Sequence, residues 1–125
     1  MSQTQAAELL EAVRTFLRED VVPQLEGFSA YTARVAANSL AIALRELELG
    51  DGLEQIDAQA AARFGIDPDE GPVAQQLAVR LRDGAIQPDP DFVAYLKRRT
   101  LKALEIDNPK YSGYLQALAS WGPEG

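Results

Sequence analysis

The chain has no cysteine and no histidine among its 125 residues. Without cysteine, disulfides and thiolate chemistry are excluded. Without histidine there is no Ser-His-Asp or Cys-His nucleophile, no imidazole general base and no imidazole metal ligand. With both missing, a structural zinc site has nothing to be built from, and only a carboxylate Mg²⁺ or Ca²⁺ site survives. The chain also lacks any run of about 18 uncharged apolar residues, so no membrane-spanning helix is expected. Its opening, Met1-Ser2-Gln3-Thr4-Gln5, has neither the basic nor the apolar region of a signal peptide.

Positive charge is scarce as well. Twelve Lys and Arg stand against nineteen Asp and Glu, for a net charge of −7. Phosphate neutralisation needs clustered cations, so a broad nucleic-acid footprint is not expected, and anionic membrane surfaces are disfavoured. Cytoplasmic residence is the default expectation. The nine glycines are scattered and form neither GxGxxG nor GxxxxGK, so no phosphate loop is present. No cofactor, no metal and no catalytic residue is therefore assigned. Among the acidic segments, Asp67-Pro68-Asp69-Glu70-Gly71 lacks the twelve-residue Ca²⁺-loop pattern, and Asp67 reads as a turn or cap residue.

What the chain does have is helical periodicity, and 46% hydrophobic residues to build a core from. Leu9, Val13, Phe16 and Leu17 form a stripe over roughly residues 4–20, with Thr4 as N-cap and Pro23 as the stop. Residues 30–49 are apolar almost all round and read as a central, largely buried helix. Ser29 would cap it, and Gly50-Asp51-Gly52 would end it. A third helix is expected over residues 53–64, closed by Gly65, and a fourth through Val73, Leu77 and Leu81, closed by Gly84. Asp89 and Pro90 have N-cap and first-turn chemistry for a fifth. That helix presents Phe92, Val93, Leu96, Thr100, Ala103 and Leu104 on one face and stops at Asn108-Pro109. Tyr111, Tyr114, Leu115 and Leu118 share a last short helix, with Trp121 stapling the tail before Gly122-Pro123. No period-2 strand is found. The expected fold is all-α, one domain over residues 1–125, a bundle of five to six helices with short connections.

Two constellations stand out. Arg34, Asn38 and Arg45 lie four and seven residues apart on one stripe of the central helix. If that stripe is buried, its guanidiniums need partners. Those partners are either carboxylates such as Glu11, Glu19, Glu26 or Glu46, or a phosphate or carboxylate ligand gripped by the planar Arg fork. The second constellation is Lys97-Arg98-Arg99 with Lys102, the one basic cluster, flanked by Tyr95. Helical spacing sets Arg98 beside Lys102 and Tyr95 beside Arg99. This is either a solvated face near a helix C-terminus or a docking patch for an acidic protein surface or a phosphate-bearing ligand.

The segment Arg34-Val35-Ala36-Ala37-Asn38-x-Leu40, followed by Arg45-Glu46-Leu47-x-Leu49-Gly50, resembles a family of small all-helical bacterial domains without an assigned function. Leu10-x-x-Val13-x-x-Phe16-Leu17, Val22-Pro23-x-Leu25-x-Gly27 and Leu104-x-Ile106-Asp107-Asn108-Pro109-x-Tyr111 are similar to it too. Ser39 departs from the Ala expected there but keeps a small side chain. The resemblance implies genes beside, or fused to, aminoglycoside-phosphotransferase-like kinases and acyl-CoA dehydrogenases, in a route handling hydroxy acids or their acyl-CoA esters. It supplies no catalytic residue.

The expected function is thus a non-catalytic interaction domain that binds or regulates a kinase-like partner, docking through Tyr95, Arg98, Arg99 and Lys102. The alternative is a binding protein for an anionic acyl or phosphorylated metabolite held by Arg34, Asn38 and Arg45. An enzyme using only carboxylates, Tyr and Arg is a third reading. Apolar surface left by the C-terminal Tyr and Trp residues is compatible with a homodimer and equally with a monomer.

Overall fold

Ser2, not Thr4, opens the first helix. Its hydroxyl accepts from the Gln5 backbone N–H, and the Gln5 side chain accepts from the Ser2 N–H, a reciprocal capping box. Helix α1 (Gln3–Phe16) passes into one π-helical turn, Leu17–Val21, and a 3-10 turn, Val22–Gln24, where Pro23 has no N–H to extend the ladder. The chain then enters α2 (Gly27–Phe64) through Gly27 at φ +60°. Further on come α3 (Val73–Arg82), α4 (Pro90–Asp107) and α5 (Ser112–Trp121). This computed structural model describes residues 1–122, and among these the fold is all-α, with no strand. Pro123 lies outside them.

The largest departure from expectation is α2. The Gly50-Asp51-Gly52 stop is absent, and one helix of 38 residues, about 57 Å, replaces the two expected. Glycine inside a helix costs only about 1 kcal/mol, which neighbouring contacts override. Neither Gly50 nor Gly52 takes a positive φ, and the Lys102 side chain lies 3.5 Å from where a Cβ on Gly52 would stand. The helix ends instead at Gly65, which supplies the left-handed residue at φ +68°. Ser29 is consequently inside the first turn of α2.

The contacts divide the chain into two compact units, Met1–Leu49 and Gly50–Gly125. In the first, the Gln3 side-chain amide donates to the Leu47 carbonyl, so after its reversal at Pro23 the chain returns antiparallel to α1. The expected wholesale burial of residues 30–49 is not found. Only Ala30, Ala33, Ala37 and Leu44, with Gly50 beyond, are buried, a narrow stripe of mostly small side chains. Phe28, Tyr31 and Val35 are exposed on the remaining circumference. On α1 the expected inward stripe is also displaced. Leu9, Val13 and Phe16 are exposed, while Ala6, Ala7, Leu10 and Leu17 are half-buried. Two helices can cover only one side of each other, and the small-residue sides allow the closer approach.

The second unit holds the large side chains. Ala60 and Ala61 of α2, Ile66 just after it, Val73 and Leu77 of α3, and Phe92 and Tyr95 of α4 form one core, with Ile56, Phe64, Leu81 and Ile86 against it. Phe64, Phe92 and Tyr95 meet edge to face, with centroids 5.5 Å and 6.1 Å apart. Asp67 caps the 3-10 turn Pro68–Glu70 by accepting from the Asp69 N–H. Asp89 caps α4 by accepting from the Phe92 N–H at 2.8 Å, with Pro90 in the first turn. The expected inner face of α4 is only partly right. Phe92 is buried, but Val93, Leu96 and Thr100 are exposed, and Tyr95, Leu101 and Ile106 take their place. The half-buried Arg99 and Lys102 continue that inner side, which two carboxylates make tolerable.

Candidate functional site

Asp57 sits on the α2 stripe that runs Ile56, Ala60, Ala61, Phe64, an acid among core residues. Its Oδ1 accepts from the Tyr95 hydroxyl at 2.9 Å and from Arg99 Nε at 3.0 Å. Burial pushes the Tyr95 phenol up to about 12, and its hydrogen bond to Asp57 pushes the same way. Three residues later on α4, Arg98 points outward and is exposed.

One turn further along, Glu105 repeats the arrangement. It accepts from Lys102 Nζ at 3.2 Å and from the Tyr114 hydroxyl at 3.3 Å. The Tyr114 phenol is raised above its ordinary value by burial, reinforced by the neighbouring Glu105 charge. Tyr114 belongs to α5, so this carboxylate ties α5 to α4. Beside the tie lies a hollow of about 300 Å³. Ile56, Leu101, Leu118 and the Tyr114 ring wall it, and Arg98, Lys102 and Glu105 stand at its edge. A second hollow of about 240 Å³ lies on the other side of Arg98, lined by Gln59, Arg63, Phe64, Asp91 and Tyr95 among others. Arg63 and Asp91 pair across it at 2.8 Å, but both are well exposed, so the pair contributes little.

Arg98 therefore stands on the lip between two depressions, and it makes no hydrogen bond or ion pair among the described residues. Lys97 goes elsewhere, to the face of the Trp121 ring at 5.7 Å.

Of the four residues expected to dock, Arg98 and Lys102 share the first hollow, Tyr95 is in the core at 2% exposure, and Arg99 is committed to Asp57. The Arg34, Asn38 and Arg45 stripe is placed otherwise than its chemistry first suggests. It runs along the flank of the buried alanine stripe, with Arg34 and Asn38 exposed and Arg45 half-buried. A guanidinium in water has no desolvation cost to offset, so Arg34 requires no partner. Two of the carboxylates considered for it are paired otherwise, Glu11 with Arg14 and Glu19 with Arg18. The Glu11 carboxyl is held below its usual range, chiefly by its hydrogen bonds from Arg14.

Asp57 and Glu105 were not anticipated as site residues. Asp57 leaves one signal in the sequence, a carboxylate on an otherwise apolar helical stripe; Glu105 leaves only its three-residue spacing from Lys102. No group of His, Cys, Asp or Glu among the described residues is arranged to hold a metal ion. What the α4 face offers chemically is an unspent cation, an apolar hollow and two hydrogen-bonded phenols.

An all-helical domain with this basic helix face is the class that fold and geometry define. The chain belongs to the family described as "Domain of unknown function (DUF6285)", whose model matches residues 23–111. The match takes in α2, α3 and α4. Neither the comparison with curated proteins nor that with solved structures gives a match. Among the described residues no helix is long and apolar enough to cross a membrane.

Proposed function

We propose that this chain is a non-catalytic accessory domain that docks on a partner protein through the outer face of α4. The observation that carries the reading is Arg98, an exposed guanidinium without an ion pair among the described residues in a chain of net charge −7. Acids outnumber bases, so a spare cation is easily neutralised within the fold; one kept free and flanked by hollows suits an anionic partner. Lys102 at the same edge is neutralised by Glu105, while Asp57 fixes Tyr95 and Arg99 behind it and so holds the helix face in place.

The partner proposed is a phosphotransferase-like kinase acting in acyl-CoA or hydroxy-acid metabolism, which is what the resemblance of residues 34–50 implies. The Arg34, Asn38 and Arg45 stripe draws less support as a ligand site, since two of the three are exposed on a convex helix surface.

Co-purification tests this. Tagged chain is recovered from cells that make it, alongside an Arg98→Glu variant that its melting shows to be folded. Recovery of a kinase-like protein in stoichiometric amount with the parent chain, and its loss with the variant, is the expected result. Equal recovery with both removes α4 as the docking surface.

A further inference from the structure

Two basic side chains line the larger hollow, and only one of them has an internal acid. Lys102 is held by Glu105, whereas Arg98 has no hydrogen bond or ion pair among the described residues. The hollow it borders is apolar on its walls and about 300 Å³ in volume, the scale of one bulky side chain and not of a folded surface. Resting on the docking reading above, we infer that the partner element seated here is an acidic peptide segment carrying one large apolar residue. The apolar side chain fills the space between Ile56, Leu101, Tyr114 and Leu118, and a carboxylate next to it pairs with Arg98.

Charge argues for this occupant. The chain as a whole is at −7, so an acidic segment is repelled by most of its surface, while the α4 cations beside the hollow attract it. A guanidinium fork takes a carboxylate in bidentate geometry, and the adjoining apolar wall excludes water from that pair.

Glu105 gives the inference its sharpest consequence. Its carboxylate sits at the edge of the hollow and cancels Lys102 at 3.2 Å. In Glu105→Gln the amide oxygen still accepts from Lys102 and the amide NH2 donates to the Tyr114 hydroxyl oxygen, but the opposing charge is gone. An acidic ligand should then bind more tightly, the reverse of what loss of a merely structural tie would do.

The test is to pan a random peptide display library against the immobilised full chain, then to measure the enriched peptides by fluorescence anisotropy. Enrichment of sequences with Asp or Glu beside Leu, Ile, Phe or Trp is expected. Affinity should fall about fivefold or more with Arg98→Glu and rise about twofold or more with Glu105→Gln, with melting temperatures showing both variants folded. No enrichment, enrichment of peptides lacking either the acid or the apolar residue, or insensitivity to Arg98→Glu overturns the inference. So does weaker binding by a folded Glu105→Gln. Octanoate serves as the probe for a free amphipathic acid; if it saturates the hollow in an Arg98-dependent way while peptides do not, the peptide assignment falls. Arg98-dependent recovery of the kinase-like partner without any such peptide would sink this chemistry but leave the docking reading standing.

Discussion

Replacing Asp57 by Ala should cost this fold about 2–3 kcal/mol. The figure follows from what its Oδ1 holds. The Tyr95 hydroxyl, at 2.9 Å, belongs to a residue only 2% exposed, and a buried donor left without an acceptor costs about 1–3 kcal/mol. The Arg99 side chain, at 3.0 Å, is 32% exposed and regains water once released, so its share is below about 1 kcal/mol. For a chain of this size the sum corresponds to a fall in Tm of about 8–12 °C. Urea unfolding followed by circular dichroism measures it, and Tyr95→Phe isolates its origin. With the hydroxyl already gone, Asp57→Ala should cost about 1 kcal/mol less, a coupling a double-mutant cycle reads directly. The same pair predicts a pH dependence. The folded phenol, at about 12, lies above its unfolded value near 10, so its stabilisation is complete below about pH 10 and is lost as pH rises from 10 to 12. Tyr95→Phe should flatten that alkaline decline. An Asp57→Ala penalty below about 0.5 kcal/mol, or strict additivity with Tyr95→Phe, would refute the reasoning.

Three further outcomes are expected. Gly52→Ala should stabilise by about 0.5–1 kcal/mol, because the position is helical with ordinary contact space, whereas Gly65→Ala at φ +68° should destabilise by about 1–2 kcal/mol; a loss at Gly52 in thermal melts would restore the helix break that α2 lacks. Phe92→Ala empties a site that is 1% exposed and should cost about 3–5 kcal/mol in urea denaturation, and a cost under about 1.5 would show that this core is loosely packed. Arg34→Met should leave the unfolding free energy within about 0.5 kcal/mol of the parent, since Arg34 is exposed; marked destabilisation would mean that its guanidinium has a structural partner in solution.

Much of this architecture was legible from local chemistry. Asp89 with Pro90, Asp67 before Pro68, and Gly65 and Gly84 as terminators read correctly, because capping and left-handed glycine are decided within a few residues. The join of residues 30–49 to 53–64 was not legible, because whether a glycine breaks a helix depends on what packs beside it, and beside Gly52 that is Lys102 from fifty residues away. The inner faces of α1 and α4 failed for a related reason. Hydrophobicity ranked Leu9, Val13, Phe16, Val93 and Leu96 as inward, but in the first unit the alanine side of α2 is the buried one, and Tyr95 and Arg99 gain Asp57 on the inside. The basic cluster could be located by composition alone. Which of its members remained unspent could not, because Asp57 is thirty-eight residues from Tyr95 in sequence.

The row Ala30, Ala33 and Ala37 has a steric consequence for how the first unit can change. A buried methyl leaves no spare volume, so a larger side chain there must force its neighbour away. Around the same helix, Tyr31, Arg34, Val35 and Asn38 meet mostly solvent and can be exchanged at little cost. The unit is closed to growth on its inner side and open to it on the outer. New recognition chemistry can therefore be grafted onto this part of α2 without renegotiating the packing that holds it.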